Sequence, residues 1–90
     1  MAEEAAPPRV GVIWSLEARA DLRAIERKTA MQILGCVDRY LSTRVGDVKK
    51  LKPPQSVLRL RCGEFRVFFD PKVETAVEIT GVRNRKDAYR

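Results

Sequence analysis

The sequence predicts two amphipathic helices laid against a sheet, an α+β arrangement, and three observations carry that reading. Apolar residues recur at helical spacing between Ser15 and Thr43, as Ala18, Leu22 and Ile25 and then as Ala30, Ile33, Leu34, Val37 and Leu41. The stretch Val57–Asp70, VLRLRCGEFRVFFD, alternates apolar and basic residues about a central glycine. The chain has 90 residues, 44% of them apolar, which suits one small domain burying roughly 60% of its unfolded surface. Residues 1–8 carry no apolar pattern and include Pro7-Pro8, so they read as a flexible tail ahead of a single domain at 9–90.

The elements follow in order. Arg9–Trp14 sets Val10, Val12 and Trp14 against Gly11 and Ile13 and predicts a first strand. Ser15 can cap a following helix, and Glu17 in its first turn is favourably placed against the helix dipole. A second helix is expected from near Thr29 to Leu41–Thr43. Neither Gly nor Pro marks the break between them, so one long helix is the alternative. Gly46 opens a loop, GDVKKLKPPQS, holding Lys49, Lys50 and Lys52. Asp70-Pro71-Lys72 reads as a turn and Glu74–Val82 as a last strand.

The hairpin is the most specific local signal. Gly63-Glu64 suits a type II′ turn, whose first position needs a positive φ. Counting outward pairs Cys62 with Phe65, Arg61 with Arg66, Leu60 with Val67, Arg59 with Phe68 and Leu58 with Phe69. Leu58, Leu60, Cys62, Phe65, Val67 and Phe69 then share the core face, and Arg59, Arg61 and Arg66 share the other. Like charges directly opposed destabilise a sheet, and a bound polyanion would explain Arg61 facing Arg66. In the last strand, strict alternation would send Arg83 to the core with Val77 and Ile79. A bulge at Gly81 would reset it.

Composition excludes several functions. The chain has no histidine, which removes histidine-based triads and most zinc chemistry. Cys36 and Cys62 form no metal-ligand spacing and read as reduced, mostly buried residues. No apolar run approaches the ~20 residues of a membrane span, and the acidic start MAEEAAPP lacks the features of a signal peptide. A cytoplasmic protein is the expectation. Residues 44–90 hold twelve basic and six acidic residues, so they carry the whole net charge of +6. That asymmetry points to an acidic partner, nucleic acid being the commonest. Arginines on rigid strands grip phosphate bidentately, and Arg83, Arg85 and Lys86 extend the basic set toward the end of the chain, where Tyr89 adds an aromatic.

In this order the pieces VIWSLEARADLRAI, VKKLK, LRLRCGEFRVFF and ITGVRNRKDAYR resemble toxins of the RelE/ParE superfamily of type II toxin–antitoxin systems. The resemblance covers nearly all of the chain after Pro8, and the hairpin and the ending Arg-x-Arg-x-x-x-Tyr are its most specific parts. It implies an α+β fold with an N-terminal strand, two antiparallel helices and a twisted antiparallel sheet with a concave basic face. It also implies a cognate antitoxin as partner.

The RelE-like branch is favoured by the short segment before the hairpin and by the arginine-rich ending with its tyrosine. For that branch the resemblance implies ribosome-dependent mRNA cleavage, in which a 2′-hydroxyl attacks the adjacent phosphate without metal or cofactor. Ribosome and mRNA become expected partners. Residue by residue, Arg66 matches the arginine that stabilises charge on the scissile phosphate. Arg83 matches the arginine that assists the leaving oxygen, and Tyr89 the tyrosine that orients or stacks on substrate.

Arg59 and Val57 fall where RelE carries two catalytic lysines. Valine has no proton to exchange and arginine is a poor base, which leaves Lys49, Lys50 or Lys52 as substitutes for the proton step. Those lysines, with Arg61, Arg85 and Lys86, are the expected RNA contacts. Two other functions remain open: a ParE-like inhibitor of DNA gyrase, and a degenerate toxin that only binds its antitoxin in co-repression.

Overall fold

A computed structural model describes residues 11–51, 57–73 and 76–88. The expected tail at 1–8 lies outside these, as do Lys52, Tyr89 and the first two residues of the predicted first strand. Chain order is β1 (Gly11–Trp14), α1 (Leu16–Arg23), α2 (Arg27–Thr43), β2 (Val48–Lys50), β3 (Leu58–Cys62), β4 (Phe65–Val73), β5 (Ala76–Asn84) and α3 (Arg85–Ala88). The five strands form one mixed sheet in the order β1-β5-β4-β3-β2. β1 pairs with β5 in parallel, and the other neighbours are antiparallel.

The helical segment forms two helices rather than one. Ser15 caps α1, its hydroxyl accepting from the Ala18 N–H at 3.0 Å. The Ala24 and Ile25 N–H groups close the helix with short-range bonds to Ala20, Asp21 and Leu22 carbonyls, and α2 restarts at Arg27. α2 ends at Arg44, which adopts the left-handed conformation at φ 61° without being glycine. Ile33 and Val37 of α2 and Ala18 of α1 reach the core. Trp14, Ile25, Cys36, Tyr40 and Leu41 pack around it.

The hairpin folds as its sequence directs. All five pairs counted from the turn are observed, from Cys62 with Phe65 to Leu58 with Phe69. Gly63 has φ 63°, while Glu64 has no positive φ, which fits type II′ and excludes type I′. Leu60, Cys62, Val67 and Phe69 are buried against the helices, and Leu58 and Phe65 pack at the margin. The Tyr40 and Phe69 rings meet with centroids 5.7 Å apart.

Three expectations need correction. Part of the predicted loop after Gly46 is a strand, β2, which extends the hairpin by pairing Val48 with Leu60, Lys49 with Arg59 and Lys50 with Leu58. The predicted turn at Asp70-Pro71-Lys72 lies inside β4. Proline is tolerated there because the β4–β5 register shifts between Pro71 and Val73. The strands after the helices are antiparallel as expected, and the N-terminal strand joins them in parallel beside β5. Cys36 and Cys62 are bonded to each other as a cystine, with Cα atoms 6.0 Å apart, and so are not reduced thiols. The bulge expected near Gly81 is present: Phe68 pairs with Gly81 and Phe69 with Ile79, leaving Thr80 as the extra residue. Val82 is therefore buried and Arg83 exposed.

Candidate functional site

The face of the sheet opposite the buried core gathers the basic residues in two rows. Arg61, Arg66 and Arg83 are direct neighbours across β3, β4 and β5. Lys49 and Arg59 are neighbours across β2 and β3. Opposed side chains on adjacent strands lie roughly 5 Å apart at Cβ, so the three arginines of the first row must fan out to coexist.

Each takes a different direction. Arg61 turns toward Asp47, Nη1 to Oδ2 at 3.8 Å. Arg66 curls over the hairpin turn and donates from Nη1 to the Gly63 and Phe65 carbonyls, both at 3.0 Å. Arg83 reaches Asp21 of α1, Nε to Oδ2 at 3.5 Å. The apposition of Arg61 and Arg66 is thus relieved within the chain and does not by itself require a ligand.

The first arginines and the second row enclose a cavity of about 80 Å³ lined by Asp47, Lys49, Arg59, Arg61 and Arg66. A water-sized site needs roughly 10–15 Å³ on this scale, so one phosphate-sized anion fits. Arg66 is the deepest residue, only 6% exposed, and Arg59 is half-buried. Charge-assisted bonds from arginine in a partly desolvated recess are the strong kind. Asp70 and Glu78 stand opposed across β4 and β5 and do not line the recess.

The expected site residues therefore separate. Lys49, Arg59, Arg61 and Arg66 come together in the recess. Arg83 stands beside Arg66 but is held by Asp21. Lys50 pairs opposite Leu58 on β2 and does not line the recess. Arg85 contacts Glu64, Nε to Oε1 at 3.7 Å, and its backbone N–H donates to the Glu64 carbonyl at 2.8 Å. Lys86 is exposed on α3. Lys52 and Tyr89 lie outside the described residues.

Two acidic residues join this set without having been singled out from sequence. Asp47 is placed opposite Arg61 by β2, and the Arg61 N–H donates to the Asp47 carbonyl at 2.9 Å. Its signal was the register of β2, which only the pairing reveals. Asp21 accepts the Val82 N–H at 3.0 Å as well as facing Arg83, so it satisfies a backbone donor next to the bulge. Asp21→Ala is expected to destabilise the fold by about 1–3 kcal/mol, because that N–H loses its acceptor. Asp21→Asn keeps an acceptor and loses only an ion pair whose arginine is half-exposed, so it should cost less than about 1 kcal/mol. Urea denaturation of both variants checks the difference.

Among the described residues no group of three or more His, Cys, Asp and Glu is arranged to hold a metal ion, and no helix is long and apolar enough to cross a membrane.

The sequence matches the family model described as the ParE toxin of type II toxin–antitoxin systems, parDE, over residues 12–89. The chain belongs to the ParE toxin family. A search of curated proteins gives no significant match. Among solved structures, this ParE-family toxin is similar to a chain of the RelBE2 toxin–antitoxin complex of Mycobacterium tuberculosis. That match has 24% identity over 86% of this chain and 99% of the other, with a TM-score of 0.69. A RelB–RelE antitoxin–toxin complex from Methanococcus jannaschii gives 17% identity over 86% and 94%, with a TM-score of 0.68. The YoeB dimer of Staphylococcus aureus gives 20% over 83% and 95%, with a TM-score of 0.61. At these identities the likeness to the solved structures is one of fold, and membership of the wider RelE/ParE superfamily rests on the family model.

Proposed function

We propose that this toxin is a ribosome-dependent mRNA endonuclease, and the observation that carries the proposal is the phosphate-sized recess walled by Lys49, Arg59, Arg61 and Arg66. In this reading the scissile phosphate enters the recess and the neighbouring 2′-oxygen attacks phosphorus. The bond from phosphorus to the 5′-oxygen breaks, giving a 2′,3′-cyclic phosphate and a free 5′-hydroxyl. Arg66 and Arg59 stabilise the charge gathered on the phosphoryl oxygens, where preorganised donors act most strongly.

Lys49 is the candidate for the proton step, since it alone of the expected lysines among the described residues lines the recess. Arg83, one strand beyond Arg66, keeps its expected role of assisting the leaving oxygen, once it has exchanged Asp21 for substrate. Arg85 and Lys86 extend the basic surface for flanking RNA, and Tyr89, Lys50 and Lys52 keep their expected roles as substrate contacts. The toxin works in the cytoplasm and is neutralised by a cognate antitoxin, the arrangement in which the M. tuberculosis and M. jannaschii relatives were solved.

The test is a purified translation system charged with a defined mRNA. Cuts confined to the codon in the ribosomal A site, absent without ribosomes, support the reading. The family match favours one rival, inhibition of DNA gyrase. Intact mRNA together with blocked supercoiling would replace the nuclease reading with that one.

A further inference from the structure

The Cys36–Cys62 cystine joins α2 to the last residue of β3, and so ties a helix to the hairpin that carries the arginine recess. Cys62 lies between Arg61, which lines the recess, and Gly63, whose carbonyl receives Arg66. The Cys36 sulfur is 3.7 Å from the Arg61 carbonyl oxygen. The tie therefore ends on the backbone that orients two of the four cations in the recess.

The helix does not depend on the tie to stay in place. Ile33 and Val37 are buried in the common core, and the Tyr40 ring packs at a tilt against Phe69. Opening the cystine would release the hairpin end locally and leave the domain folded. The two cysteines also differ in access, for Cys62 is 7% exposed whereas Cys36 is half-buried. A cystine in a small chain acting on ribosomes would sit among reduced thiols, where such bonds are usually transient or redox-sensing.

We propose that the Cys36–Cys62 cystine is an exchangeable redox latch that controls how firmly the arginine hairpin is held. The reducing surroundings of the toxin rest on the nuclease reading; the latch itself rests on the cystine's position. The reductant is a dithiol protein of the thioredoxin class. Its thiolate attacks the Cys36 sulfur, forming a mixed disulfide and expelling Cys62 as a thiolate that takes up a proton. The reductant's second thiol then displaces Cys36, so the reductant is oxidised to its own disulfide and the toxin gains two thiols. With the latch closed the recess is preorganised, which favours binding of an anion; with it open the hairpin end loosens.

The full chain is tested as purified under air and after native-buffer treatment with thioredoxin and dithiothreitol. A Cys36→Ala, Cys62→Ala double variant serves as the form that cannot latch. Hydrogen exchange is expected to speed up roughly tenfold at the amides of residues 61–66 on reduction, equivalent to about 1.4 kcal/mol of local opening. The core amides of β5 should be unchanged, and the double variant should match reduced wild type with no response to reductant. Binding of a labelled 12-mer oligouridylate is expected to weaken by roughly three- to tenfold on reduction.

Two free thiols in the air-oxidised chain would overturn the latch, as would a cystine that thioredoxin opens only in denaturant. Faster exchange everywhere, or nowhere, would also overturn it, the former marking a plain structural staple. If the double variant does not fold, the comparison of oxidised and reduced wild type still decides. Faster exchange at residues 61–66 with no oligouridylate bound in either state would uphold the latch and count against the RNA reading alone.

Discussion

Arg66→Ala is expected to reduce ribosome-dependent mRNA cleavage by roughly 10²–10³-fold, the usual cost of removing one preorganised donor to a developing oxyanion. The residue is 6% exposed and its guanidinium is fixed by two carbonyls of the hairpin turn, so little reorganisation is needed when charge builds on the phosphate. The loss should fall on the single-turnover rate of bound mRNA more than on binding. Lys49, Arg59 and Arg61 still line the recess and would hold the singly charged ground-state phosphodiester. Arg66→Lys keeps a charge but not the planar fork, and should recover only part of the rate. Circular dichroism and a thermal melt must accompany the assay, because truncation also deprives the Gly63 and Phe65 carbonyls of their donor. An alanine variant that cleaves at the wild-type rate would remove Arg66 from the mechanism.

Leu60→Ala should have the largest effect on stability, about 2–5 kcal/mol. Leu60 is 1% exposed, pairs with Val48 on one side and Val67 on the other, and meets the same space beside Gly46 as Tyr40. A domain of this size has a total stability of about 5–15 kcal/mol, and each kcal/mol shifts Tm by roughly 4–8 °C. A fall of at least about 8 °C is therefore expected by calorimetry. A smaller shift would mean that the sheet collapses onto the gap. Because Arg59 and Arg61 flank Leu60 and face the other way, the same variant should also weaken anion binding near the melting range.

What could be read from the chain was what its neighbours in sequence decide. Gly63 sets the turn, the turn sets the register, and the register sends Arg59, Arg61 and Arg66 to one face. Gly81 and the conflict at Arg83 together announced a bulge, and the helix pair followed from a stripe of aliphatic side chains capped by Ser15.

What could not be read depends on partners distant in sequence. Three residues suffice for β2 only because β3 lies beside them, and Lys49-Lys50 followed by Pro53-Pro54 looks like a loop in isolation. Pro71 reads as a turn residue until its place at a register shift is known. The cystine spans 26 residues and needs α2 docked on β3 before the sulfurs can meet. Asp47 and Asp21 looked like ordinary surface acids, since nothing in the local sequence says that a strand register or a helix end will set them against Arg61 and Arg83.

The parallel pairing of β1 with β5 also has a bearing on timing. Ser15, at the exit of β1, bonds to Ile79 and Thr80, and the Ser15–Thr80 contact spans 65 positions of the chain. During synthesis at 5–20 residues per second, β1 waits roughly 3–13 s for the strand it must join. Contacts of such long range also slow the folding step itself. Arg83, which completes the arginine row, is made after all but the last residue of β5. A growing chain therefore contains the residues of its helices and its hairpin shortly before it contains the full basic face. The cell making this toxin has a short interval in which the product is still incomplete as a weapon.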